Sequence, residues 1–108
     1  MSDLMRLTLA GARDALRSGQ TTAVELTEAS LTAVAASKPL NVFVHDTSEI
    51  ARAQAAAADL RLKAGGAPDM CGLPIGIKDL FCTKGVATQA ASAILKGFKP
   101  EYESTVSQ

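Results

Sequence analysis

The sequence predicts an α/β fold in which helices come first and strands follow. Helix-capping signals and alanine-rich amphipathic segments fill the chain before about residue 66. Apart from a short strand candidate at residues 41–45, residues that favour strands gather after Pro68, with glycines at the transition. We therefore expect a helical layer over about residues 1–66 and the start of a sheet core over about residues 67–108, as parts of a single domain.

The first helix is predicted over about residues 9–18. Thr8 precedes it as an N-cap, because its hydroxyl can accept from a free backbone N–H group of the first turn. Gly19 follows it and can take the left-handed conformation that closes many helices. Three apolar positions share the face expected to point inward: Leu9, Ala12 and Leu16.

The second helix is predicted from Thr22 to about residue 37. Thr22 and Glu25 have the spacing of a capping box, in which each side chain bonds to the backbone of the other. Pro39 ends the helix, because a proline disfavours helical backbone in the residue before it. Its inward stripe would consist of four residues: Val24, Thr27, Leu31 and Val34.

A third helix is predicted from Asp46, paired with Glu49 as a second capping box, to about Lys63. Gly65 and Gly66 would end it. Two sets of residues define its faces. The expected apolar stripe is Ile50, Ala53, Ala57 and Leu60, and the expected solvated face is Arg52, Asp59, Arg61 and Lys63.

Three segments are strand candidates because β-branched, aromatic and other apolar residues dominate them. Residues 41–45 would form a short strand between the second and third helices. Residues 75–82 and 86–88 would begin the sheet core. Gly76 would let a neighbouring element approach the sheet closely.

Composition and charge exclude several classes of protein. The 11 basic and 11 acidic residues balance, so the chain lacks the positive surface expected of a protein that binds nucleic acid or anionic membranes by itself. The start of the chain does not resemble a secretory signal, and no apolar run approaches a membrane span. We therefore expect a cytoplasmic protein.

The cysteines predict no metal site. Cys71 and Cys82 are too far apart in the sequence for a CxxC knuckle, and the single histidine, His45, lies far upstream. Two reduced thiols fit a cytosolic protein. No residue of the chain is expected to bind a cofactor or a metal ion.

Lys78 is the candidate catalytic residue. It lies within an apolar segment, and a lysine held there would lose hydration, which lowers the pKa of an ammonium group. A neutral amine can accept a proton, as a catalytic base must. The alternative is that Lys78 lies at a strand end, extends its amine to water and pairs with Asp79. Spacing alone leaves both interpretations open.

Several segments together resemble the beginning of the amidase signature family in their order and spacing. The strongest contains Gly72, Gly76 and Lys78, and the others lie on both sides of it. The matching segments are Thr22–Leu26, Leu40–Val44, Cys71–Phe81, Thr83–Thr88, Ala91–Leu95, Phe98, Pro100 and Tyr102–Val106. The resemblance covers essentially the whole chain. It implies a mixed sheet core of the amidase-signature type that is incomplete in this chain.

The resemblance also implies a role for Lys78. Members of the family use a serine–serine–lysine triad, and Lys78 occupies the position of the lysine base. The two serines belong to a Gly/Ser-rich segment further downstream than this chain extends. We assign no triad role to Ser92, Ser104 or Ser107, which stand at other points of the pattern. Residues 1–108 alone are therefore expected to be inactive.

Residue choices at 81–83 and 94–105 resemble the glutamine-dependent amidotransferase branch of the family more than its fatty-amide and general amidases. That branch hydrolyses glutamine and passes ammonia to partner subunits of a heterotrimer. ATP and Mg²⁺ would act at a partner subunit, and tRNA would be contacted mainly through the partner. Two alternatives remain: a general amidase with another amide substrate, and a non-catalytic truncated interaction module.

Overall fold

The computed structural model describes residues 3–108. Its α-helices are α1 (Leu9–Ser18), α2 (Ala23–Ala36) and α3 (Ser48–Ala64). Short 3-10 helices occupy Asp3–Arg6, Lys38–Leu40 and Ala93–Leu95, and no β-strand forms among the described residues. The chain divides into two compact units, Met1–Pro74 and Ile75–Gln108.

Both ends of α1 are capped as predicted. The backbone N–H of Gly11 donates to Thr8 Oγ1 over 3.0 Å, and Gly19 closes the helix with a left-handed φ of 77°. Ala12 and Leu16 are buried as expected, but Leu9 is 57% exposed. Leu9 is the first residue of α1, and the buried residues of this helix begin at Ala12. The predicted inward position of Leu9 is therefore wrong.

The predicted capping box of α2 is confirmed. The Glu25 N–H donates to Thr22 Oγ1 over 3.1 Å, and the Thr22 N–H donates to Glu25 Oε2 over 3.0 Å. The same carboxylate oxygen accepts from the hydroxyl of Thr21, which is buried. The glutamate therefore fixes both the first turn of α2 and the chain that leads into it.

Asp59 of α3 provides a second cap for α2. Its Oδ1 accepts from the Ala23 N–H over 2.7 Å, and its Oδ2 accepts from the Val24 N–H over 3.2 Å. The first N–H groups of a helix have no acceptor within that helix, and a carboxylate there is also favoured by the helix dipole. The prediction that Asp59 belongs simply to a solvated face is therefore wrong.

The core of the first unit lies between the three helices. Its buried members are Ala12, Leu16, Ala23, Leu26 and Ala55, and the apolar residues packed against them are Leu4, Ala58, Leu62 and Leu73. Thr27 is buried as predicted, whereas Val24 is 40% exposed. On α2 the predicted stripe was therefore only partly correct, because Leu26 takes the inward position.

The predicted apolar stripe of α3 is wrong. Ile50 and Leu60 are largely exposed, and Ala53 and Ala57 are exposed as well. The inward residues are instead Ala55, Ala58 and Leu62. Alanine covers most faces of this helix, so the sequence pattern alone could not fix its rotation. The carboxylate of Asp59, one residue after Ala58, sets that rotation by bonding to α2.

The predicted capping box of Asp46 and Glu49 is not present. The helix begins at Ser48 with Thr47 as its N-cap, so Glu49 is one position too early to complete a box. Asp46 instead accepts from the backbone N–H of Ser48 over 2.9 Å and from the Ser48 hydroxyl. These bonds hold the pKa of the Asp46 carboxylate below its usual value, with the Ser48 hydroxyl as the largest cause.

Residues 41–45 do not form the predicted strand. Asn41 has a left-handed φ of 53°, which turns the chain out of the preceding 3-10 helix, and the segment continues through bends. Val42, Phe43 and Val44 are 48–63% exposed. Their preference for strands is unfulfilled because the described residues offer them no partner strand.

The second unit is built from turns joined by backbone hydrogen bonds. Residues 82–88 run antiparallel to residues 98–104 through three bonds of 2.8–3.0 Å. These join the N–H groups of Ser104, Gly85 and Thr88 to the carbonyl oxygens of Cys82, Pro100 and Phe98, respectively. Pro100 is fully buried and has no N–H to donate, so the pairing stays irregular.

The predicted strands at residues 75–82 and 86–88 are therefore not formed, and the expected start of a sheet core is absent from residues 3–108. Ile75, Ile77 and Leu80 are 46–55% exposed. Strand preference largely reflects packing within a sheet, and the described residues supply no sheet for this segment to join. The assignment of residues 1–108 to one domain stays a prediction.

The Asp59 cap predicts a local loss of stability in Asp59→Ala. We expect amide exchange at residues 23 and 24 to accelerate about fivefold, since losing a helix cap costs about 1 kcal/mol. Amide hydrogen exchange of the 108-residue chain measures this directly. Glu28→Ala is the matched control, because it removes the exposed Arg52–Glu28 ion pair and leaves the cap intact. Equal effects of the two substitutions, or none at residues 23 and 24, would contradict the cap.

Candidate functional site

Lys78 lies in the second unit at the start of a turn. Its carbonyl oxygen accepts from the Phe81 N–H over 3.1 Å, and the residue is exposed. The burial in a strand that the sequence suggested is thus not provided by residues 3–108. No ion pair joins Lys78 to Asp79 within the described part of the chain. The choice between a catalytic base and a solvated lysine stays a prediction.

Asp79 instead binds a neighbouring turn. Its carbonyl oxygen accepts from the Ala90 N–H over 2.8 Å, and its Oδ1 accepts from the Gln89 N–H over 3.3 Å. The turn is closed by the Ser92 N–H, which donates to the Gln89 carbonyl over 2.8 Å. One residue adjacent to Lys78 thus holds two successive N–H groups of the segment 89–92.

The two central residues of that turn have left-handed backbones. Ala90 has a φ of 48° and Ala91 a φ of 58°. Positive φ at both central positions is typical of a type I′ turn, which normally carries Gly, Asn or Asp. A residue with a Cβ atom adopts this conformation only at a cost.

The hydroxyls of the second unit support its backbone. Ser104 Oγ and Ser107 Oγ lie 2.6 Å apart, and the Ser107 hydroxyl also donates to the Cys82 carbonyl over 3.2 Å. Glu103 Oε2 accepts from the Lys84 N–H over 2.6 Å. This bond, aided by the Ser107 hydroxyl, holds the pKa of the Glu103 carboxylate below its usual value. The two serines thus stabilise the pairing of residues 82–88 with 98–104.

Both cysteines are free thiols. Cys71 Sγ lies 3.9 Å from the Ala58 carbonyl oxygen, and Cys82 Sγ lies 3.5 Å from the Tyr102 hydroxyl. The neighbouring thiol raises the pKa of the Tyr102 phenol. Within residues 3–108, no three His, Cys, Asp or Glu side chains gather as a metal site would require, and none of the described helices could cross a membrane.

The site therefore contains one exposed amine, and hydrogen bonds to the Lys78 carbonyl and to Asp79 restrain the backbone that follows it. The catalytic role of Lys78 stays a prediction, and the sequence analysis missed the segment 89–92, which binds its neighbour Asp79. Asp79 gave a weak signal, because a carboxylate beside a lysine suggests a surface ion pair first. Ala90 and Ala91 gave no signal, since alanine seldom takes a left-handed conformation.

Comparison with known proteins supports the resemblance found in the sequence. Residues 25–108 match the family described as Amidase. The chain is 68% identical over 108 residues to the A subunit of glutamyl-tRNA(Gln) amidotransferase from Ruegeria sp. (strain TM1040), covering 100% of this chain and 22% of that protein.

Proteins of the same name show similar identities. The protein of Dinoroseobacter shibae is 67% identical over 106 residues, which is 98% of this chain and 21% of that protein. The protein of Ruegeria pomeroyi is 69% identical over 109 aligned positions, which cover 100% of this chain and 22% of that protein. The chain thus spans about a fifth of the length of these relatives. Because the family match extends over most of its residues, the chain belongs to the amidase family.

Proposed function

We propose that residues 1–108 are the N-terminal part of an amidase subunit that hydrolyses glutamine to supply ammonia for converting Glu-tRNA(Gln) into Gln-tRNA(Gln). The observation that carries this proposal is the identity of 67–69%, over nearly the whole chain, to proteins named as the A subunit of glutamyl-tRNA(Gln) amidotransferase. Their names favour this function over that of a general amidase. Because the chain spans about a fifth of those proteins, most of the subunit would lie outside it.

Lys78 would be the base of the serine–serine–lysine triad. An amide is a poor electrophile, so the nucleophilic serine must lose its proton as it attacks the glutamine carbonyl. Neutral Lys78 would accept a proton from the intermediate serine, which in turn would take one from the nucleophile. The reverse transfer would protonate the leaving ammonia. Both serines would come from a part of the subunit outside residues 1–108.

The exposure of Lys78 and its neighbours supports the view that the active site needs residues outside 1–108. An ammonium group loses its proton more readily when it is buried, yet Lys78 is exposed within residues 3–108. Ile75, Ile77 and Leu80 are also about half exposed, so apolar surface accompanies the lysine in this segment. The same covering layer could bury these side chains and desolvate the amine. The rest of the subunit would provide that layer.

Partner subunits would complete the reaction in the cytoplasm. The ammonia would pass to a partner within a heterotrimer, where ATP and Mg²⁺ activate the glutamyl-tRNA. The balance of 11 basic and 11 acidic residues supports tRNA binding mainly through the partner, because a chain without excess positive charge attracts phosphates weakly. These roles follow from the proposed function.

Residues 1–108 alone are expected to release no ammonia from glutamine, because the two triad serines lie outside them. The purified chain should match a protein-free blank in an ammonia-release assay, and the Lys78→Ala chain should give the same result. Turnover by the 108-residue chain at the rate of an intact amidase, abolished by Lys78→Ala, would show that its nucleophile lies within these residues.

In the full-length subunit, Lys78→Ala should lower kcat for glutamine hydrolysis by about 10⁴-fold or more, as loss of a triad member does in other hydrolases. Lys78→Arg should be nearly as damaging, because a guanidinium does not give up its proton at working pH. Single-turnover ammonia release measures the chemical step. Lys96→Ala is the control, since Lys96 is an exposed lysine of the same unit.

High activity of the Lys78→Arg subunit would instead mean that Lys78 acts as a positioning charge and that the base lies elsewhere.

The preferred substrate of the full-length protein distinguishes the amidotransferase function from that of a general amidase. A protein that hydrolyses glutamine in preference to simple amides such as acetamide supports the amidotransferase function, and the opposite preference supports a general amidase.

A further inference from the structure

We propose that Asp79 is a positioning residue that fixes the backbone of Lys78 by holding the strained turn 89–92 against it. The inference rests on the proposed function, in which Lys78 is the catalytic base. Asp79 would not touch the substrate. It would act as a hydrogen-bond acceptor that determines where the lysine side chain starts.

The hydrogen bonds place Asp79 between the lysine and the turn. Its carbonyl oxygen accepts from the Ala90 N–H over 2.8 Å, which fixes the peptide that follows Asp79. Its carboxylate accepts from the Gln89 N–H over 3.3 Å. The Lys78 carbonyl, in the peptide that joins the two residues, accepts from the Phe81 N–H over 3.1 Å. Three hydrogen bonds therefore restrain the two residues at positions 78 and 79.

The turn needs such an anchor because of its own conformation. Ala90 and Ala91 both have left-handed φ values, and side chains with a Cβ atom disfavour them. Without the Asp79 carboxylate, the Gln89 N–H would lose its acceptor and residues 89–92 would be free to relax toward negative φ. The Ala90 N–H would then move away from the Asp79 carbonyl, and the backbone beside Lys78 would lose one of its restraints.

Backbone position matters for Lys78 because the described residues supply no side-chain pocket that would fix its amine. The Lys78 side chain is exposed within residues 3–108, so the position of its amine depends on the backbone and not on a packed side-chain pocket. A displacement of about 1 Å at a catalytic group can cost about 10²-fold in rate. A shift of the 78–79 peptide is passed on to the amine, so an anchor next to Lys78 would affect the chemical step.

The contacts of Asp79 indicate that its carboxylate acts as a hydrogen-bond acceptor and not as the charged partner of Lys78. Asp79 forms no ion pair with Lys78 among the described residues, and its carboxylate faces a backbone N–H group instead. An asparagine at this position keeps a side-chain oxygen at the same distance from the backbone but loses the charge. A glutamate keeps the charge but displaces the oxygens by one methylene.

The test uses the full-length subunit in complex with its partners and measures kcat and KM for glutamine hydrolysis. Asp79→Ala should lower kcat by about 10²-fold while KM stays within about threefold, the signature of a misplaced catalytic group. Asp79→Asn should remain within about fivefold of the wild-type kcat, and Asp79→Glu should fall by at least about tenfold. Asp69→Ala, which removes an exposed carboxylate paired with Arg17, is the control and should behave as wild type.

A second variant tests whether the left-handed backbone of Ala90 and Ala91 causes the loss of kcat in Asp79→Ala. Replacing Ala90 and Ala91 by glycine in the Asp79→Ala subunit should restore kcat by at least about tenfold, because glycine takes left-handed backbone without a steric cost. A general loss of structure would not be repaired in this way, since added glycines make an unfolded chain more favourable. No recovery in a folded protein would overturn the role of the turn.

The outcomes separate this inference from the proposed function. Wild-type kcat in Asp79→Ala together with an inactive Lys78→Ala overturns the positioning role and leaves the function standing. An active Lys78→Ala overturns the function itself. If Asp79→Ala does not fold, the Asn and Glu variants decide: higher kcat for Asn supports the acceptor role, and equal or higher kcat for Glu overturns it.

Discussion

The carboxylate of Asp59 at the N-terminus of α2 is the interaction on which the helical unit depends. Two backbone N–H groups, those of Ala23 and Val24, would otherwise lack acceptors, and Ala23 is completely buried. A buried donor without a partner costs more than the average hydrogen bond contributes. The requirement to satisfy these groups therefore fixes both the position of α3 along α2 and the face that it buries.

The consequences of that one contact extend through the core. With Asp59 turned toward α2, the small side chains of Ala55 and Ala58 face inward and allow close approach of the helices. Gly72 extends the tight packing, because a Cβ atom there would lie 3.1 Å from the Cβ of Ala23 and 3.2 Å from a methyl group of Leu16. Small residues thus allow close packing at the contacts whose positions are fixed by the Asp59 cap.

The second unit has no α-helix, and it too is organised by oxygen atoms that accept from backbone N–H groups. Asp79 accepts from two N–H groups of a turn, and Glu103 accepts from the Lys84 N–H. Carboxylates and carbonyls thereby organise a segment whose apolar side chains remain largely exposed. Hydrogen bonds of backbone N–H groups, and not an apolar core, maintain the structure of the region around Lys78. This is why the proposed function assigns the burial of Lys78 to residues outside the chain.

Local signals in the sequence were sufficient for the helix ends. The caps at Thr8 and Thr22 and the closing glycine at position 19 depend on residues within four positions of each other, and all three are confirmed. The predictions failed where the deciding partner is distant in the sequence. Asp59 lies 36 residues from Ala23, so no local pattern reveals its role or the rotation of α3.

The strand predictions failed for a related reason. The apolar residues around Lys78 have the preferences of a buried strand, but a strand forms only when another strand accepts its backbone bonds. Residues 3–108 contain no such partner. The left-handed pair at Ala90 and Ala91 was equally hidden, because alanine seldom takes this conformation and the contacts from the turn to Asp79 span about ten residues. Lys78 itself was found through its family resemblance and not through its spacing.

Residues 3–108 hold the backbone that follows Lys78 in place but do not bury its amine. Labelling with an amine-reactive reagent, read out by peptide mass spectrometry, tests this directly. We expect Lys78 to label as fast as the exposed Lys96 in the 108-residue chain and to be strongly protected in the full-length subunit. Protection of Lys78 in the short chain, or equal labelling of Lys78 in both proteins, would contradict it.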